Sequence, residues 1–103
     1  MTREEKEAFR KTSRWKHWRT KIKGLFHNMD MITLRPLTKT WNLHHLDMRD
    51  ANYTKLDDPK RFLPLNKDTH DFVHWLWRLY KKDKKVLDRL RTVMQKMEEY
   101  NAD

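Results

Sequence analysis

Two pairs of histidines stand out by their spacing. His44 and His45 are adjacent in the stretch WNLHHLDMRD, and His70 and His74 lie four residues apart in THDFVHWLWRLYK. On an extended backbone neighbouring side chains point to opposite faces, so His44 and His45 can serve two different purposes at one site. On a helix, a separation of four puts two imidazoles on one face about one turn apart, where they can share a metal ion. If the strand carrying the first pair folds back against the helix carrying the second, four of the six histidines gather in one small region. The other two, His17 and His27, show no such spacing and read as solvated or phosphate-facing.

The elements that must position these residues can be read from pattern. A helix is expected from Thr2, because Thr2 and Glu5 have capping-box spacing and apolar residues recur at Ala8, Phe9 and Trp15. Residues 1–26 form a basic helical arm, ending near Gly24, the only glycine. MITLRPL and WNLHH read as two short strands joined by a turn around TKT. A long polar loop, DMRDANYTKLDDPK, leads to RFLPLN, a brief extended piece in which Pro64 argues against a central strand. Asp68 can cap the helix that follows, whose apolar stripe is Phe72, Val73, Leu76, Leu79 and Tyr80. A last helix, over residues 83–100, carries Val86, Leu87, Leu90, Val93, Met94 and Met97 at helical spacing, the pattern of buried core or of a helix partner. The fold class is α+β, in one small domain.

Charge and composition narrow the function. With 24 Lys and Arg against 15 Asp and Glu, the net charge is +9 and the pI about 9.9, which favours a polyanion, most often nucleic acid, over a membrane surface. The absence of cysteine excludes disulfides and Cys-ligated zinc. No stretch has the apolar run of a signal peptide or spanning helix, so no membrane is expected and the cytoplasm is the expected compartment. The segment RKTSRWKHWRTKIK interleaves Arg14, Lys16, Arg19, Lys21 and Lys23 with Trp15 and Trp18. Such a helix either tracks phosphates or presents a solvated basic face with its tryptophans in the core. Lys81, Lys82, Lys84 and Lys85 form a second cluster. Either cluster would give affinity without a recognition sequence.

NLHHLD, a long loop and then DPKRFLPLNKDTHDFVH resemble the HNH endonuclease motif, the ββα-metal (His-Me finger) module of phage nucleases, homing endonucleases and nuclease colicins. Residues 41–75 carry the resemblance. It implies a ββα-metal core over 31–80, flanked by the N-terminal basic helix and the C-terminal helix at 83–100. It further implies that His44, His70 and His74 are metal ligands and that His45 is the general base. Where the family has an asparagine that pins the loop, this chain has Arg61, for which we expect a phosphate contact near the scissile bond; Asn52 and Asn66 are the alternative pins. The cysteine pairs that hold a structural zinc in many phage members are absent, so packing by the five tryptophans and the terminal helix is expected to replace them.

The implied activity is metal-dependent hydrolysis of DNA, by a phage-type nickase or a packaging-associated nuclease, in the host cytoplasm if phage-encoded. All-imidazole ligation suits Zn²⁺, Ni²⁺, Co²⁺ or Mn²⁺ better than Mg²⁺, with Mn²⁺ or Ni²⁺ expected to support turnover and Mg²⁺ usable if water or phosphate fills most of the shell. The alternative is a basic DNA-binding or interaction protein whose HNH module has lost turnover. With either, the C-terminal helix offers a surface for a homodimer or for docking to a larger phage machine.

Overall fold

The computed structural model describes residues 1–102. It contains α1 (Arg3–Arg10), α2 (Ser13–Leu25), β1 (Asn42–His45), β2 (Phe62–Leu65), α3 (Lys67–Tyr80) and α4 (Val86–Tyr100), with short 3-10 turns at Asp50–Asn52 and Pro59–Arg61. The architecture is α+β: four helices and a two-stranded antiparallel sheet. Two compact units are separable, Met1–His70 and the segment from Asp71 onward, with the division falling inside the uninterrupted helix α3.

The basic arm is two helices rather than one. The expected capping box is present, with Glu5 N–H donating to the Thr2 hydroxyl and Thr2 N–H donating to the Glu5 carboxylate. Thr12 then starts a second helix by accepting from Trp15 N–H, so the chain breaks at Lys11 and Thr12. A local side-chain acceptor here competes with continuation of the helical ladder. Gly24 lies within the last turn of α2, and it is His27 and Asn28, with φ of 56° and 60°, that take the left-handed backbone after it.

MITLRPL is not a strand. The buried Asp30 carboxylate accepts from Ile32 and Thr33 N–H, folding the chain into a turn in which Leu34 has φ 57°. The expected pairing of this segment with WNLHH is absent among the described residues; its one isolated bridge, between Met29 and Pro36, closes the turn on itself. The partner of β1 is instead β2, the RFLPLN segment, in the register Asn42 opposite Leu65, Leu43 opposite Pro64, His44 opposite Leu63 and His45 opposite Phe62. Pro64 is tolerated because both strands of a two-stranded sheet are edges, and its carbonyl accepts from Met31 N–H.

The core lies on one face of this sheet. Trp15, Trp18 and Ile22 of α2 pack with Trp41, Leu43 and Phe62, and Phe9, Phe26, Leu37 and Leu56 close the edges. Burying side chains of this kind stabilises by about 1.5–3 kcal/mol each. Three of the five tryptophans therefore serve the core expected of them, whereas Trp75 and Trp77 are exposed.

In the second unit the apolar residues at helical spacing are not core. Leu87, Val93, Met94 and Met97 are exposed, as are Phe72 and Leu79 on α3. Helical periodicity reports which face is apolar, and among the described residues neither helix has a buried side chain. Helix α3 begins at Lys67, directly after Asn66, so Asp68 sits within the first turn, where its charge favours the helix N-terminus without capping it. Helix α4 begins at Val86, three residues later than the pattern suggests.

Candidate metal centre

Strand alternation divides the adjacent histidines. Leu43 and His45 face the aromatic core, while His44, directly opposite Leu63, faces the other way. His44 is 5% exposed. Its ring meets that of His70, in the first turn of α3, edge to face with centroids 5.2 Å apart. His74 follows one turn later on the same helix, and a ring nitrogen from each of His44, His70 and His74 lies within 4.8 Å of the other two.

That donor set fits a divalent metal ion. Zinc and similar ions take imidazole nitrogens at about 2 Å, which puts two such nitrogens about 3–4 Å from each other. Ligation requires neutral imidazole, and burial, reinforced by the Arg78 charge and only partly offset by Asp71, depresses the His74 pKa below the ordinary histidine value. Three nitrogen donors without a carboxylate favour borderline transition metals over Mg²⁺.

His45 is outside this cluster. Its ring is stacked between Tyr53, at 4.5 Å and 9°, and Trp15, at 5.5 Å and 8°, with Phe62 tilted against it at 4.9 Å. Its Nε2 lies 3.1 Å from the Tyr53 carbonyl. A carbonyl only accepts, so Nε2 carries the proton in the neutral ring and Nδ1 keeps the basic lone pair. Burial pushes the His45 pKa down; the Tyr53 carbonyl opposes this, the Lys6 and Arg10 charges add to it, and Asp47 again opposes. His17 and His27 are exposed.

The loop after β1 is organised around Asp47, which accepts from the backbone and guanidinium of Arg49 and from the Asn52 amide. These bonds hold its carboxyl well below the usual range, the Arg49 side chain contributing most. Asn52 thus ties this loop, whereas Asn66 ties a different one: its side chain accepts from Thr38 N–H and donates to the Pro36 carbonyl. Arg61 stands between Asp47, at 3.9 Å, and Asp58, at 3.8 Å, with 42% of its side chain exposed.

The basic residues of α2 divide in the same way. Arg19 lies over Trp41, its Cζ 3.9 Å from the ring centroid, and donates to the Trp41 carbonyl; Lys23 also approaches that ring, and Lys21 approaches Trp18. Arg14 and Lys16 are exposed. Two cations that sequence reasoning did not single out stand close to His45: Lys6 lies 4.9 Å over the Tyr53 ring and Arg10 donates to the Tyr53 hydroxyl. Their i, i+4 spacing on α1 was the available signal. The chain matches no protein-family model, no curated protein and no solved structure. Among the described residues, no helix is long and apolar enough to cross a membrane.

Proposed function

We propose that this protein is a metal-dependent endonuclease that hydrolyses DNA phosphodiester bonds, with a ββα-metal core of the HNH type. The observation that carries this reading is the convergence of His44, His70 and His74, from a strand and the helix following its partner strand. A divalent ion held by the three histidines would offset charge on the scissile phosphate and its leaving oxygen. His45 takes the proton from the attacking water at Nδ1, with its tautomer held by the Tyr53 carbonyl. Arg14, Lys16, Lys6 and Arg10 grip phosphates without reading bases. Arg61, partly exposed, adds a phosphate contact when the strand displaces its two distant carboxylate partners.

A second reading is a DNA-binding protein without turnover. It is favoured by the two aromatic rings that cover both faces of His45. Incubating supercoiled plasmid with the protein and Mn²⁺, Ni²⁺, Mg²⁺ or EDTA separates the two. Nicked or linear product with metal, and none with EDTA, supports the nuclease; retarded but intact plasmid under every condition supports the second reading.

A further inference from the structure

A buried carboxylate far from the histidines in sequence reaches the helix that carries two of them. Asp30 has no exposed surface. It accepts from Ile32 N–H at 2.8 Å and Thr33 N–H at 2.9 Å through one oxygen, and from Asn66 N–H at 2.8 Å and the Thr69 hydroxyl through the other. The first two bonds hold the carboxylate in its own turn. The other two belong to the junction between β2 and α3, where Asn66 is the single residue separating the strand from the helix. His70 is the next residue after Thr69, and its N–H donates to the Asn66 carbonyl to open the helical ladder.

We infer that Asp30 is a positioning residue for the metal centre, holding the first turn of α3 so that His70 and His74 present their nitrogens toward His44. The inference rests on the metal reading of those histidines. Without Asp30, the junction would still be tied through the Asn66 side chain to Thr38 and Pro36. Those bonds fix Asn66, whose carbonyl also lies 3.0 Å from the Thr69 hydroxyl, but none of them joins Thr69 to the turn at Asp30. The Thr69 hydroxyl reaches from the helical turn itself to the carboxylate, and so restrains the rotation of that turn about the helix axis. Rotation matters because a metal shell tolerates only small displacements of its ligands, and loss of groups that orient ligands lowers metal affinity by about 10–100-fold. Charge is also essential: every group facing Asp30 is a donor, so a neutral amide would turn its NH₂ toward at least one of them.

The test compares Asp30→Asn, Thr69→Val and Thr69→Ser with the unaltered chain, at a temperature where circular dichroism shows each folded. Co²⁺ is titrated and followed by its visible absorption, which reports ligand geometry, and the metal-free proteins are examined by NMR for cross-relaxation between the His44 and His70 rings. Asp30→Asn and Thr69→Val should bind Co²⁺ about 10–100-fold more weakly, with an altered spectrum and a weakened His44–His70 cross-peak. Thr69→Ser keeps the hydroxyl and should match the unaltered chain in all three. Should Asp30→Asn fail to fold, Thr69→Val decides, since it leaves the carboxylate and its three backbone donors in place. Unchanged Co²⁺ affinity, spectrum and cross-peak in Thr69→Val would overturn the inference. If the unaltered chain binds no Co²⁺, the metal reading fails, and the cross-peak still decides whether Asp30 and Thr69 set the ring geometry.

Discussion

The rings of His44 and His70 meet edge to face at 5.2 Å, although the 46–61 loop and all of β2 lie between them in the chain. Two local features make this meeting possible. The register sets His44 opposite Leu63 and so fixes which face of β1 it occupies; a slip of one residue would exchange His44 with His45. The single-residue junction at Asn66 then leaves α3 little freedom in how it departs from β2.

This division of faces has a consequence for pH. Burial holds the His45 pKa below the ordinary histidine value, despite the opposing Tyr53 carbonyl, and His74 is lowered as well. Both must be neutral to act, so single-turnover cleavage should rise with pH and reach its plateau at or below about pH 6.5, the unperturbed value. Folding is linked in the same sense. The unfolded chain takes up protons first, so stability declines as pH falls through about 6.5 toward the lower folded values. A cleavage rate that continues to rise well above about pH 6.5 would contradict the lowered values.

Acid stability should depend on Asp30. Burial alone would raise its pKa, but the Thr69 hydroxyl and the N–H groups of Thr33, Asn66 and Ile32 bring it down to about 2. A lowered carboxylate contributes stability above its unfolded value, about 3.9, and loses that contribution as pH falls toward the folded value. Asp30→Asn should cost on the order of 2 kcal/mol at pH 7, because buried donors lose their acceptor. It should also flatten the decline in stability between roughly pH 4 and 2. Urea titrations of both proteins across that range measure this, and parallel acid limbs would exclude it.

The sequence carried the helices and the grouping of His44, His70 and His74 more clearly than the strands. Helix signals are local: the Thr2 and Glu5 pair, the four-residue step from His70 to His74 and the apolar periodicity of α3 and α4 all lie within a few turns. The pairing of β1 with β2 is not local. MITLRPL has the composition of a strand, but Asp30 bonds to its own backbone and to Asn66 and Thr69, 36 and 39 residues away, which no short window reveals. In RFLPLN, Pro64 argues against a central strand, and among the described residues the sheet consists of two edge strands. Exposure of the α4 stripe was equally hidden, because periodicity marks an apolar face without showing what covers it.

Arg19 should behave as part of the core rather than as a DNA contact. Its placement over Trp41 and its bond to the Trp41 carbonyl engage the guanidinium, and burial lowers its pKa. Arg19→Ala should lower stability by about 1 kcal/mol while leaving the salt dependence of DNA binding unchanged. Arg14→Ala and Arg61→Ala should each do the reverse, lowering the slope of log K against log salt by about 0.9. If Arg61→Ala keeps that slope and instead lowers the single-turnover rate at saturating DNA, Arg61 acts by pinning the loop through Asp47 and Asp58.

The most direct measurement is calorimetric titration of metal into the unaltered chain and into His44→Ala, His70→Ala, His74→Ala and His45→Ala, using Mn²⁺, Ni²⁺ and Zn²⁺ in turn. The three clustered histidines and the separate orientation of His45 predict one ion per chain. Affinity should be greatly reduced in the first three variants and nearly intact in His45→Ala, which should still lose roughly 10²- to 10⁴-fold in cleavage. Absence of metal binding in the unaltered chain, or equal loss of affinity in His45→Ala and His44→Ala, would contradict the account.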